Sequence, residues 1–246
     1  MSSSTPEPNG VSDQANNAVR KERPEKQKLP KPDFSEPATF VTFLVGPEDY
    51  ITKFVVHKEF ACYHSSVLRA AFASNFVEGQ TQTYRIIDTS PDAFQLFVQW
   101  LYTQKLQLHR LRHLEASGLT DESGEDEEYD MGDEDMSLAK LWVLADKLAI
   151  PKLQNSAMTC ILKFASGNVI PTLPYHYIYE NTGIGSPLRR LVVEQCAHEL
   201  PHYYIYSCAE YFPRELLLDI FAYTAKNFRD DRDSLPDPRK FYVAED

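Results

Sequence analysis

The sequence predicts a small α+β fold on three observations: an alternating β-hairpin that starts at Val41, amphipathic helices that begin directly after it, and a third short strand set between helices. The chain of 246 residues is 43% hydrophobic and 12% aromatic, enough to bury a core of ordinary size.

Each element arises from local chemistry. Val41, Phe43 and Val45 alternate with Thr42 and Leu44, a Gly46-Pro47-Glu48-Asp49 turn comes next, and Thr52, Phe54 and Val56 resume the alternation. The pattern turns helical after His57-Lys58. Ser65-Ser66 is placed to cap a second short helix carrying Val67, Leu68, Ala71 and Phe72. A third strand is expected over Tyr84 to Ile87. Pro91 suits a first helical turn, and Phe94, Phe97, Val98 and Leu101 recur at helical spacing until about Tyr102-Thr103. Further on, Leu138, Leu141, Ala145 and Leu148 form one stripe, Pro151 punctuates, and Leu153, Ala157, Cys160, Ile161 and Phe164 form the next, a helical hairpin. A Tyr-rich stretch (Tyr175, Tyr177, Tyr179) precedes a helix from about Pro187 to Glu199 and another from Pro213 to Asn227 bearing Leu217, Ile220 and Phe221.

The polar segments divide the chain. Residues 1–36 are rich in Ser, Pro, Asn and charge and are expected to be a disordered tail. Within them Arg20, Lys21, Arg23, Lys26, Lys28 and Lys31 form a loose basic stretch, read as solvated tail in preference to a nuclear-import signal. The net charge of -11 sits in one place, because eleven acids and no Lys or Arg lie between Glu115 and Asp135. The body is therefore neutral and offers no positive field for nucleic acid. Residues 109–136 read as a disordered acidic insertion, longer than an ordinary connection. The domain is bounded at 37–165, a helical extension at 166–229 and a flexible tail at 230–246. Four dispersed cysteines suggest neither zinc site nor disulfide framework, and no apolar run approaches a membrane span. An intracellular protein, nuclear or cytoplasmic, is expected.

These elements, in this order, resemble the BTB/POZ family, in particular the BTB chains common in fungi. The resemblance rests on Phe54-Val55-Val56-His57-Lys58, on Ser65-Ser66 with Phe72 and Phe76, and on Pro91-Asp92-Ala93-Phe94 with Phe97 and Trp100-Leu101-Tyr102-Thr103. Leu144-Ala145-Asp146-Lys147-Leu148 with Ile150-Pro151 is similar to the family's closing helical hairpin. Tyr179-Glu180-Asn181-Thr182 with Gly185 to Leu191 looks like the segment C-terminal to the domain in fungal chains. The resemblance implies a three-stranded sheet covered by helical hairpins and a non-catalytic protein-interaction module that needs no cofactor. It also makes His57 a buried, hydrogen-bonded structural residue. Phe40 stands where many members carry an Asp beside the dimer groove, so Lys58, which matches the groove's basic partner, lacks that acid and the groove is more apolar.

Candidate chemistry is sparse. His198-Glu199-Leu200-Pro201-His202 has the letters of a zinc-protease motif, yet Pro201 prevents the helical turn that would converge both imidazoles. His57, Cys62 and His64 suggest a nucleophile pair without an orienting acid or oxyanion donor. No glycine-rich phosphate loop, kelch-type repeat or zinc-finger array is present. By the resemblance, Phe76-x-Glu78 falls where BTB adaptors place a hydrophobic-x-Glu contact for cullin scaffolds of ubiquitin ligases; the competing expectation is that Phe76 is core and Glu78 solvated. Ser123, ahead of Glu125-Asp126, suits an acidophilic kinase. The expected partners are proteins: a second copy, another chain, or a cullin scaffold. A transcription-related scaffold or a metalloenzyme ranks below these, and the chain is not expected to be an enzyme.

Overall fold

The computed structural model describes residues 30–109, 131–165, 174–200 and 202–227. The chain divides after Pro30 into two units, and every strand and helix described lies in the second.

Strands β1 (Phe40–Val45) and β2 (Thr52–His57) form the antiparallel hairpin, and β3 (Thr83–Ile86) joins β1 from the other side in parallel, giving the order β2-β1-β3. The alternation dictates which face turns inward: Val41, Phe43 and Val45 are buried, with Val56 beside them. Gly46 ends β1 with φ 104°, and a Cβ there would lie 2.5 Å from the Tyr50 carbonyl oxygen, so this turn requires glycine. β1, central and buried, is flanked on one side by a hairpin and on the other by a crossover through helices. The hairpin was legible from spacing; the parallel pairing of β3, one residue earlier than the expected strand, comes from the return of the chain over the sheet.

Helices α1 (Lys58–His64), α2 (Ser66–Ala73) and α3 (Val77–Thr81) make that crossover. Ser65 joins the first two and is fully buried; its Oγ accepts the Leu68 N–H at 3.0 Å and donates to the Leu148 carbonyl at 2.6 Å. The cap expected from sequence is thus also a tie to the turn at Leu148, 83 residues away. α4 (Pro91–Thr103) turns Ala93, Phe94, Phe97, Trp100 and Leu101 inward and stops at Gln104, whose backbone is left-handed. Around Phe43 the rings of Phe72, Tyr84, Phe94 and Phe97 lie with centroids 5.0–6.4 Å away, and such pairs add about 0.5–1.5 kcal/mol each beyond their burial.

α5 (Met131–Lys147) and α6 (Pro151–Ala165) form the expected hairpin, and Trp100 Nε1 of α4 donates to Ser156 Oγ of α6 at 3.1 Å. Next come α7 (Tyr175–Asn181), α8 (Pro187–Glu199), α9 (His202–Ser207), a 3-10 turn at Ala209–Tyr211 and α10 (Arg214–Asn227). Tyr175, Ile178, Leu188, Val192, Phe212 and Leu216 continue the same buried cluster, so these helices extend the core.

Several expectations are corrected. α5 begins at Met131, inside the segment read as a disordered insertion over 109–136, and Glu134 and Asp135 are buried. Acids in a first helical turn complement the macrodipole, and the Glu134 carboxylate accepts the His109 N–H at 2.7 Å, which closes the two ends of the excursion. Phe34, in the expected tail, lies tilted against the Phe60 ring and edge-on to the His57 ring, with centroids 4.7 and 5.1 Å away. Short helices α3, α7 and α9 were not read from the sequence, being too brief to show a period. In α10 the buried residue is Leu216, whereas Leu217 and Phe221 face outward. Residues 1–29, 110–130 and 228–246, with the remaining tail and insertion readings, lie outside the described residues. No helix among the described residues is long and apolar enough to cross a membrane.

Candidate interaction surfaces

The first surface grows from strand register. β1 and β2 place Phe40 opposite His57 and Thr42 opposite Val55, so all four share the face of the sheet that turns away from the core. Phe40 is 44% exposed, Val55 is also exposed, and the Phe40 and His57 rings lie 4.6 Å apart. Phe34 closes on His57 from the preceding loop, with a left-handed backbone at φ 62° that a phenylalanine seldom adopts. The Ser35 side chain and then its backbone N–H, the latter at 3.0 Å, hydrogen-bond to the Asp33 carboxylate, which holds this turn and lowers the Asp33 carboxyl below its usual range.

His57 is corrected from buried to half-buried. The Tyr102 hydroxyl accepts the His57 backbone N–H at 3.0 Å and sits 3.0 Å from His57 Nδ1. One hydroxyl from the end of α4 therefore fixes both the backbone and the ring of β2's last residue. The half-buried Lys58 begins α1, its N–H donating to the Thr39 carbonyl at 3.0 Å. Phe40, His57, Phe34 and Tyr102 thus form one aromatic, partly exposed surface. Of the site residues named from the sequence, Phe40 lies on this surface and Lys58 follows its His57 in the chain, whereas Phe34 and Tyr102 were not named as such; the only sign of Phe34 was a large ring amid polar residues.

The second surface is α3. Phe76 is the residue that precedes it, with extended backbone, and is 77% exposed, so the expectation that it is core is wrong. Val77 beside it is exposed and Glu78 is half-buried. The Phe76 N–H donates to Ser74 Oγ at 3.2 Å and its carbonyl accepts the Gln80 N–H at 3.0 Å. Gly79 decides the placement, since a Cβ there would lie 1.8 Å from the Ser74 carbonyl oxygen. Gln82, left-handed at φ 51°, donates to the carbonyls of Gly79 at 2.5 Å and Phe72 at 3.2 Å. A short helix is clamped against the end of α2, with a phenylalanine held in solvent at its start.

The residues weighed for catalysis are occupied otherwise. Burial pushes the Cys62 thiol up, although Lys58 and Arg69 oppose this, so it is held protonated where a nucleophile needs the thiolate. His64 faces Gln104 and the Trp100 ring, and burial lowers its pKa. α8 ends at Glu199, Leu200 is extended, and His202 starts a new helix; His198 Nε2 lies 3.2 Å from the Tyr223 hydroxyl. Among the described residues no three His, Cys, Asp or Glu gather to hold a metal. Ser123 lies outside the described residues.

A model of the BTB/POZ domain matches residues 35–119, which takes in the sheet and helices α1 to α4. No curated protein matches the chain. The mixed three-stranded sheet with its helices is accordingly the α+β fold of a BTB/POZ domain, a protein–protein interaction module, continued here by further helices toward the C-terminus.

Proposed function

We propose that this chain is a self-associating interaction module that pairs through the outward aromatic face of Phe40, Val55 and His57, with Phe34 at its margin. The observation that carries the reading is Phe40 itself: an exposed phenylalanine whose ring lies tilted against His57 at 4.6 Å, at the position where the resemblance leads one to expect an Asp. An apolar, aromatic patch on a rigid sheet is a suitable hot spot, because little side-chain entropy is lost on contact. Light scattering on the full chain tests it. The expected result is that Phe40→Glu lowers the mass at micromolar concentration with unchanged circular dichroism; an unchanged mass refutes self-association through this face.

A second reading is supported by Phe76. BTB domains in general bind cullins as well as each other. Here an exposed phenylalanine is locked at the start of a short helix with a carboxylate two residues on. An apolar anchor beside one charge supplies affinity and register. As a substrate adaptor the chain retrieves a cullin scaffold in a pulldown, and Phe76→Ala with Glu78→Ala abolishes the retrieval while the fold persists. Retention by the double variant refutes that site.

A further inference from the structure

Helix α10 is apolar on both sides. Its inner side, with Leu216 fully buried and Ile220 and Tyr223 half-buried, packs against α7 and α8. The opposite side carries Leu218, Phe221 and Ala222, all exposed, Leu218 at 57% and Phe221 at 73%. Leu218 and Phe221 therefore leave aliphatic and aromatic surface in water that a partner would cover. The outer stripe is otherwise well suited to packing. Leu218 and Phe221 lie one turn apart, and the small Ala222 beside them leaves room for a second helix to come close.

We propose that the outer face of α10 pairs with the same face of a second copy, the two helices running antiparallel across a two-fold axis. The charges at the edge of the stripe select this occupant. Glu215 and Lys226 are both exposed and stand eleven positions apart, about three helical turns, so they occupy the two ends of one edge of the stripe. In an antiparallel pair the Glu215 end of each helix lies beside the Lys226 end of the other, giving two equivalent attractions. A parallel pair sets Glu against Glu and Lys against Lys. The pattern is self-complementary in the antiparallel direction only, so a second copy is the occupant it fits. α10 spans about 21 Å, so this pair buries less than the roughly 800 Å² per partner of a standard interface and forms at micromolar concentration or above.

The pairing is independent of the sheet face, which lies on different elements. A chain with two isologous surfaces extends beyond a dimer, and each surface is tested with the other removed. Light scattering on full-length variants gives the readout. In the Phe40→Glu background the mass is expected to remain that of two chains, and adding Leu218→Glu with Phe221→Glu brings it to one, a twofold loss without change in circular dichroism. Glu215→Lys alone in that background shifts the mass toward one chain, and Glu215→Lys with Lys226→Glu restores it. If the sheet face does not associate, the wild-type chain is already a dimer, Phe40→Glu changes nothing, and the α10 variants still halve the mass. A Phe40→Glu chain that is monomeric before α10 is touched overturns the proposal, as does a failure of the charge swap to restore association after Glu215→Lys has weakened it.

Discussion

Ser65 ties two stretches of chain that the sequence separates by an acidic excursion, and removing its hydroxyl measures that tie. Its Oγ accepts the Leu68 N–H at 3.0 Å and donates to the Leu148 carbonyl at 2.6 Å, and the residue is fully buried. In Ser65→Ala the first loss is a helix cap, about 1 kcal/mol. The second leaves the Leu148 carbonyl buried against apolar neighbours without its partner, about 1–3 kcal/mol. The sum, about 2–4 kcal/mol, is large against the roughly 5–15 kcal/mol that holds an ordinary domain together. For a folded body of this size each kcal/mol moves Tm by roughly 2–4 °C, so a fall on the order of 4–16 °C is expected. Urea unfolding monitored by the helical circular dichroism signal gives the free energy, with wild type and variant sharing one slope. A loss below about 0.5 kcal/mol, the range of ordinary surface substitutions, refutes the idea that α5 is fastened to α2 through this side chain.

The same geometry sets the outcome of other perturbations. Tyr102→Phe deletes the hydroxyl that holds the His57 backbone and ring, and is expected to lower stability by about 1 kcal/mol in urea unfolding and to weaken self-association, read by light scattering, because Phe40 loses its fixed neighbour. Gly79→Ala forces a methyl to within 1.8 Å of the Ser74 carbonyl, so α3 must shift; a destabilisation of about 1–3 kcal/mol is expected, with loss of whatever retrieval depends on Phe76. Burial, reinforced by Asp88, pushes Tyr177 up to about 12 from its ordinary 10, and burial with the Asp219 carboxylate raises Tyr179 as well. A phenol raised on folding contributes stability that is full below pH 10 and is lost as pH climbs toward 12, so the urea midpoint should decline over that window and decline less in Tyr177→Phe.

Legibility differed by element for physical reasons. The β1–β2 hairpin and helices α4 to α6 could be read because each repeats one period long enough to mark a buried face. Ser65 was recognised as a cap since its partner Leu68 is three residues away; its second partner, Leu148, leaves no local trace. Phe76 and Phe221 illustrate the limit. Both are phenylalanines in apolar company, both read equally well as core, and both are in solvent. Phe34 failed in the other sense, since a single ring among prolines and charges carries no period, yet it packs on His57 and Phe60.

By itself the sequence determined the fold class, the strand faces, the caps and the hairpins, because alternation and helical spacing are properties of neighbours along the chain. Only the tertiary structure decided that β3 runs parallel to β1, that Tyr102 and Phe34 close on His57, and that α10 keeps an apolar side uncovered. Those outcomes depend on which surfaces meet after the chain has folded back. Contact between distant residues is set by the packing of whole elements, and no short stretch of sequence records it.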